Sequence, residues 1–322
     1  MKRYGQRGVA LITVMLVFFI ASTVAVAMLQ RQQMDIRTTS GLLDYQQAHL
    51  YALGGEEYAR QILYQDMLAD AESARFVDHP GESWAEPLAP FEVEHGALQV
   101  SILDLQGRLN INSVVTAGQV NAVALQRLRN LLDALGLRPT LADAIVDWLD
   151  SDQEPFSLDG AEDLEYLDKP IPYRTADAPM GCPSELRLIH GLELEEYQQL
   201  RPFVVALAPG YPVNINTASA LVLRSIFPAL SESAAAELVE NRPEEGFDSV
   251  EEFLAHPLLA GMEVSSQGLT VSSSHFQVET TAQFAGRSVF LTSYIYRDVE
   301  RTYLLGREYG QVGGTPAPAA PE

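Results

Sequence analysis

The sequence predicts an α+β fold: a long N-terminal helix packed on an antiparallel sheet, with an all-α domain inserted between the sheet's strands. Three patterns lead there. An uncharged apolar run passes into residues with helical spacing, strand-like alternation occurs in two blocks far apart, and the stretch between those blocks is helical. With 322 residues, 47% of them apolar, the chain has material for more than one domain.

From Val9 to Leu29 no residue is charged, and at about 1.5 Å per residue this stretch makes a helix roughly 30 Å long, enough to span a bilayer. Lys2, Arg3 and Arg7 precede it and Arg31 is the next charge after it, so positive-inside bias keeps the N-terminus cytoplasmic and carries the bulk across. Residues 9–29 are therefore expected to be a single-pass anchor. Beyond it Ile36, Leu43, Leu50, Leu53, Tyr58, Ile62 and Leu63 recur at spacings near three, four and seven, which extends the helix into the soluble part. Gly54-Gly55 predicts a bend, since each glycine costs about 1 kcal/mol against alanine in a helix interior. Asp78-His79-Pro80-Gly81 is expected to end the helical region.

Phe91 and Val93, then Leu98, Val100, Ile102 and Leu103, alternate around Glu94-His95-Gly96 and read as a hairpin. Alternation returns at Leu269–Val271, Phe276–Thr280, Val289–Arg297 and Arg301–Arg307, with Gly286 at a turn. The expected layout is the helix and first strands over 30–109, an inserted helical domain over 110–268 and the returning strands over 269–309. Residues 310–322, rich in Gly, Pro and Ala, read as a disordered tail.

The insert repeats itself. Leu109-Asn110-Ile111-Asn112-Ser113 is echoed by Val213-Asn214-Ile215-Asn216-Thr217, and helix-like segments follow each copy. In the first, Thr140-Leu141-Ala142-Asp143 predicts a capping box opening a helix to Leu149; in the second, Ser231 predicts an N-cap for a helix to Val239. The asparagines are expected to bond nearby backbone and start each unit.

Charge and composition exclude several functions. Acidic residues outnumber basic ones 43 to 21, giving a formal net charge of −22, the wrong sign for a duplex-binding protein. A single cysteine, Cys182, permits neither an intramolecular disulfide nor a thiolate-rich metal site. The histidines His49, His79, His95, His190, His256 and His275 are scattered, and no phosphate-binding or nucleophile-elbow motif occurs, so catalysis is not expected. The charge is concentrated instead. Ten carboxylates and no Lys or Arg lie between Asp143 and Asp168, including Asp147, Asp150, Asp152 and Glu154 at a helix end and Glu162-Asp163 after a short loop. Oxygens from two chain segments suit a hard cation such as calcium, although the spacing is not that of an EF-hand and a solvated acidic loop is the plain alternative.

A short basic leader ending in Gly8, followed by Val9-Ala10-Leu11-Ile12-Thr13, resembles the leader of type IV pilins and type II secretion pseudopilins. The resemblance implies cleavage by a prepilin peptidase between Gly8 and Val9 and methylation of the new Val9 amine; loss of three positive charges would take the net charge from −22 to −25. An ordinary secretory signal would instead be cut after its apolar region and leave no anchor. Most such subunits carry Glu at the fifth mature position, where this chain has Thr13. That absence, the split sheet, the repeated Asn-Ile-Asn and the run Asp147-Trp148-Leu149-Asp150-Ser151-Asp152 with Gly160-Ala161-Glu162-Asp163 and Tyr166 together resemble the minor pseudopilin K family.

The resemblance implies a pilin-like outer part with a SAM-like helical insert, sited in the bacterial inner membrane with its bulk in the periplasm. It implies a place at the pseudopilus tip, starting or capping the filament. The partners implied are minor pseudopilins I and J, with H and the major pseudopilin G as further candidates, the prepilin peptidase and inner-membrane lipid, but no nucleic acid. It also implies a calcium site with Asp150, Asp152, Glu162 and Asp163 as ligands, Asp147 and Glu154 as second choices, and Glu185 as a remote addition. The competing reading is a membrane-anchored DNA-binding module, because Val213 through Glu251 resembles helix-hairpin-helix units. Its turn, Phe227-Pro228-Ala229-Leu230-Ser231, lacks the glycines that let backbone amides approach a phosphate, and Glu232, Glu237, Glu240, Glu244 and Glu245 surround it.

Overall fold

The computed structural model describes residues 7–86, 90–93, 95–262 and 265–310, with side chains from Ala10 onward. Leader residues 1–6 and the predicted tail from 311 on lie outside the described residues. Helix α1 runs unbroken over Arg7–Ser73, so it ends five residues before Asp78 and does not stop at Gly54-Gly55. The glycines have another role. A Cβ on Gly55 would come within 2.7 Å of Thr280 Cγ2 and 2.9 Å of Val100 Cγ2, whereas one on Gly54 would meet nothing within 4 Å. Gly55 is thus where helix and sheet touch, a close approach that a side chain would block.

The sheet beneath α1 has five antiparallel strands in sequential order: β1 (Phe91–Val93), β2 (Gly96–Asp104), β3 (His275–Phe284), β4 (Arg287–Arg297) and β5 (Thr302–Tyr309). The predicted hairpin is β1–β2, with Phe91 opposite Leu98. Strands β2 and β3 pair over Gly96 to Asp104, with Val100 opposite Thr280 and Ile102 opposite Val278. Alternation then points Val100, Ile102, Phe276, Val278 and Ile295 at α1, where Ala59 and Leu63 meet them. A second cluster joins Ala48 and Ala52 to Ala282, Val289 and Leu291. Small residues on this helical face keep the axis close to the sheet.

Between β2 and β3 lies the helical insert, with its own large apolar core. Its helices are α2 (Ala122–Ala134), α3 (Leu141–Leu149), α4 (Asp163–Leu167), α5 (Leu194–Leu200), α6 (Ala220–Ile226), α7 (Glu232–Glu240) and α8 (Val250–Leu254). The two repeats are closed by the same device. Leu109–Asn110 pairs in parallel with Val204–Val205, and Val213–Asn214 pairs in parallel with Leu269–Thr270. Leu269–Thr270 therefore closes the insert rather than joining the returning strands.

The paired asparagines act both locally and at long range. Asn110 Oδ1 accepts from the Asn112 N–H at 3.2 Å, and Asn214 Oδ1 from the Asn216 N–H at 2.9 Å, as expected. The second asparagine of each pair brackets a distant peptide: Asn112 both accepts from Met180 N at 2.8 Å and donates to Met180 O at 2.9 Å, and Asn216 does the same with Phe247 at 2.9 and 3.1 Å. Ser231 caps α7 through Ala234 N at 3.2 Å. Thr140 precedes α3 with helical φ and ψ and no side-chain bond, so the expected capping box is absent there.

Candidate metal centre

The acidic loop starts where α3 stops. Asp150 leaves the helix in extended conformation, and the chain then loops through Asp152 and Phe156 to Glu162, the residue before α4. Asp147, fully buried on α3, shapes the loop: Oδ1 accepts from Phe156 N at 2.8 Å and Oδ2 from Ala161 N at 2.6 Å. A Cβ at position 160 would stand 2.2 Å from Asp147 Oδ2, so Gly160 is what lets this end of the loop come so near. Asp143 does parallel work, pairing with Arg129 at 2.6 Å and accepting from Ser157 Oγ at 2.6 Å.

These anchors bring Asp150, Asp152 and Glu162 together, with one carboxylate oxygen from each within 4.8 Å of the others. Glu162 is only 4% exposed, yet neither of its carboxylate oxygens has a hydrogen-bond partner, and Asp150 Oδ1 lacks one too. The Glu162 N–H is satisfied by Glu165 Oε2 at 3.0 Å. Burial first, and then the charges of Asp147, Asp150, Asp177 and Asp152, push the Glu162 carboxyl up to about 8. Burial and the neighbouring Asp152, Asp147 and Asp177 push Asp150 up to about 6. Buried carboxylate oxygens without donors are costly, and a hard divalent cation that collects oxygen ligands satisfies them directly. The donor set fits such an ion.

The other expected ligands are engaged elsewhere. Asp163 pairs with Arg174 at 2.7 Å and accepts from Thr175 N and Oγ1, both at 3.2 Å. Asp147 is used by the loop backbone, and Glu154 is exposed. Glu185 Oε1 accepts from Gly181 N at 2.6 Å and Cys182 N at 3.3 Å, ordering the turn before residues 183–188. Sequence reasoning misses Asp147 as the loop's anchor; its signal is a helix aspartate paired with a later glycine, which no spacing rule singles out.

A second acidic group, Asp66, Asp78 and Glu82, sits below the end of α1, and its members are paired. Arg297 binds Asp66 at 2.6 Å and also Asp78, Ser273 N donates to Asp78 at 2.6 Å, and Glu82 accepts from Trp84 Nε1 at 2.6 Å. Burial and the charges of Asp66 and Asp78 push Glu82 up to about 8 and nearby Asp70 up to about 7. Higher on α1, buried Glu56 takes a bidentate bond from Arg307, 2.6 Å on each arm, and a 2.5 Å bond from Ser293 Oγ. Burial alone would raise Glu56; these bonds prevail and hold it below the usual carboxylate range.

Two family models, both described as type II secretion system (T2SS), protein K, match residues 107–209 and 213–272. Their border falls between the two closed repeats. The type II secretion system protein K of Pseudomonas aeruginosa is 38% identical over 98% of this chain and 96% of that protein. The chain belongs to the type II secretion system protein K family. The Klebsiella pneumoniae member is 33% identical over 95% of this chain and 97% of its own. A chain in the crystal structure of the GspK-GspI-GspJ complex from enterotoxigenic Escherichia coli superposes with a TM-score of 0.75 at 26% identity, over 85% of this chain and 99% of that one. Protein K is a structural pseudopilin family, and this chain is a minor pseudopilin of type II secretion. One apolar helical stretch near its N-terminus, exposed along its length, makes it a membrane-anchored periplasmic protein of that family.

Proposed function

We propose that this pseudopilin occupies the tip of the periplasmic pseudopilus, where it starts or caps the filament that exports folded proteins across the outer membrane. The observation that carries this reading is the insert between Asp104 and His275, a second folded body built onto a helix-on-sheet subunit. Such a body takes up space that a further subunit stacked above would need. Below it, α1 presents exposed Leu42, Leu43, Tyr45 and Leu50 beyond the membrane segment, apolar surface that sister helices can cover. The partners on this reading are minor pseudopilins I and J, by analogy with the GspK-GspI-GspJ complex, with H and the major pseudopilin G next in line. The helix lies in the inner membrane with its N-terminus cytoplasmic, after prepilin peptidase has cut between Gly8 and Val9.

Calcium completes the acidic loop on this reading. Asp150, Asp152 and Glu162 would hold it, and the ion would supply counter-charge to a stretch of ten carboxylates that has no Lys or Arg of its own. Its task is structural: to fix the loop between α3 and α4 against the insert. Three measurements test the proposal. Mass spectrometry of the mature chain should find a methylated Val9 at its start, and co-expression should recover I and J with it; a start beyond Leu29 would refute membrane assembly. Metal analysis should find bound calcium whose chelation lowers the melting temperature. A metal-free protein with unchanged melting on chelation would refute the ion.

A further inference from the structure

Among the described residues eight arginines of the soluble part pair with carboxylates, in a chain of net charge −22. Of the arginines without a carboxylate partner, Arg108, Arg187 and Arg201 face one place. Arg108 and Arg201 line a cavity of about 320 Å³ between the insert and the β4–β5 edge of the sheet. Arg201 also lines the adjoining cleft of about 700 Å³, together with Arg187, and both spaces share Tyr294 and Glu308. Among the described residues none of these three guanidiniums has a carboxylate within 4.0 Å. Glu308 is the one carboxylate lining either space, and Arg307, at the same edge, is already neutralised by Glu56.

Arg108 is half-buried. Burial and then the Arg201 charge pull its guanidinium down from the usual range, while Glu279 and Asp104 act in the opposite sense. Two like charges held together at a cavity wall without a bound carboxylate are unfavourable, and an incoming anion relieves both. The mouth is partly apolar. Leu305 on β5 is 59% exposed, and a Cβ on its neighbour Gly306 would meet nothing within 4 Å, so the approach is open. The register of β4 with β5 slips here, Gly306 facing Tyr294 and Leu304 facing Ile295, which leaves Leu305 as the extra residue of a bulge. A bulge interrupts the ladder and hinders addition of another strand, so a visitor is held by side chains rather than by extending the sheet.

We propose that this cleft is a docking site for an acidic segment of a partner protein, a carboxylate held between Arg108 and Arg201 and an apolar side chain resting on Leu305. The site stands independently of the tip reading, because it depends on the cleft alone. Local positive charge inside an acidic molecule selects such a partner sharply: surfaces of the same sign are repelled everywhere except at the arginines.

The test uses the full chain in a zwitterionic detergent and a fluorescein-labelled peptide of sequence Glu-Leu-Glu-Leu-Glu, followed by anisotropy. Saturable binding is expected, weakening at least tenfold in the double variant Arg108→Gln/Arg201→Gln and falling with added salt. Arg75→Gln, which alters a distant paired arginine, should leave affinity unchanged, and Arg201→Lys should keep part of it while melting like the parent. A Gln-Leu-Gln-Leu-Gln peptide should not bind. The proposal is overturned if the acidic peptide shows no saturable binding, or if the double variant binds it as well as the parent. It is overturned equally if inorganic phosphate displaces the peptide with matching affinity, because the cleft would then be a small-anion site.

Discussion

Glu162 carries two opposed consequences in one side chain. Without a cation its buried, unpartnered carboxyl is a burden; on the proposed calcium reading it would become a ligand. Glu162→Gln should therefore raise the melting temperature of the chelated protein, by the equivalent of about 1 kcal/mol, and lower that of the calcium-loaded protein; calorimetry in chelator and in calcium reads both signs. Glu82 supplies a pH dependence of its own. Its folded carboxyl sits at about 8 against an ordinary 4.5, so protonation favours the fold: that contribution is complete below about 4.5 and lost as pH rises through about 8. Asp70, at about 7, acts in the same direction over a lower window. In saturating calcium the melting temperature should drop between pH 6 and 8.5, and Glu82→Gln, which can still accept from Trp84, should flatten the drop. A sequence can show that carboxylates crowd between Asp143 and Asp168, but it does not show which are buried. Spacing puts Asp150, Asp152, Glu162 and Asp163 in one acidic stretch; that three of them converge while Asp163 stands beside Arg174 depends on burial and contact, which spacing does not carry.

Two adjacent glycines in α1 should behave in opposite ways. Gly54→Ala adds a methyl into open space and should stabilise the chain by about 0.5–1 kcal/mol through helix propensity. Gly55→Ala drives a methyl into Thr280 and Val100 and should cost about 1–3 kcal/mol, since helix and sheet must part to admit it. Urea melts of the two variants measure both. At the very next residue, Glu56→Gln loses the bidentate bond that ties α1 to β5. Because Arg307 is 37% exposed, solvent takes up part of the loss, and about 1–2 kcal/mol is expected. The lowered carboxyl of Glu56 makes that contribution present above the usual carboxylate range and lost as pH falls through it, so parent and variant should converge in acid. Helical spacing announced α1 correctly over most of its length, and alternation announced the hairpin and the returning strands. What local pattern could not convey was contact: Gly54 and Gly55 look alike in sequence and differ only because one of them faces Thr280.

At the level of the whole molecule, the order of apolar run, hairpin, repeats and returning strands was readable because each block has its own periodicity. The partner of Leu269–Thr270 was not, because two residues carry no period and their mate, Val213–Asn214, lies in another part of the insert. One arrangement has a temporal meaning. Strand β2 is synthesised early, yet its neighbour β3 begins only at His275. Until then Val100 and Ile102 lie on a ribbon whose inner edge is bare, while each repeat of the insert can close on residues of its own. Long-range pairing of this kind is slow and leaves sticky intermediates. In a refolding experiment with pulsed deuterium labelling, amides of α2 and α6 should become protected before those of β2. A newborn chain thus spends its most vulnerable interval half-built, guarded only by whatever chaperone reaches that ribbon first.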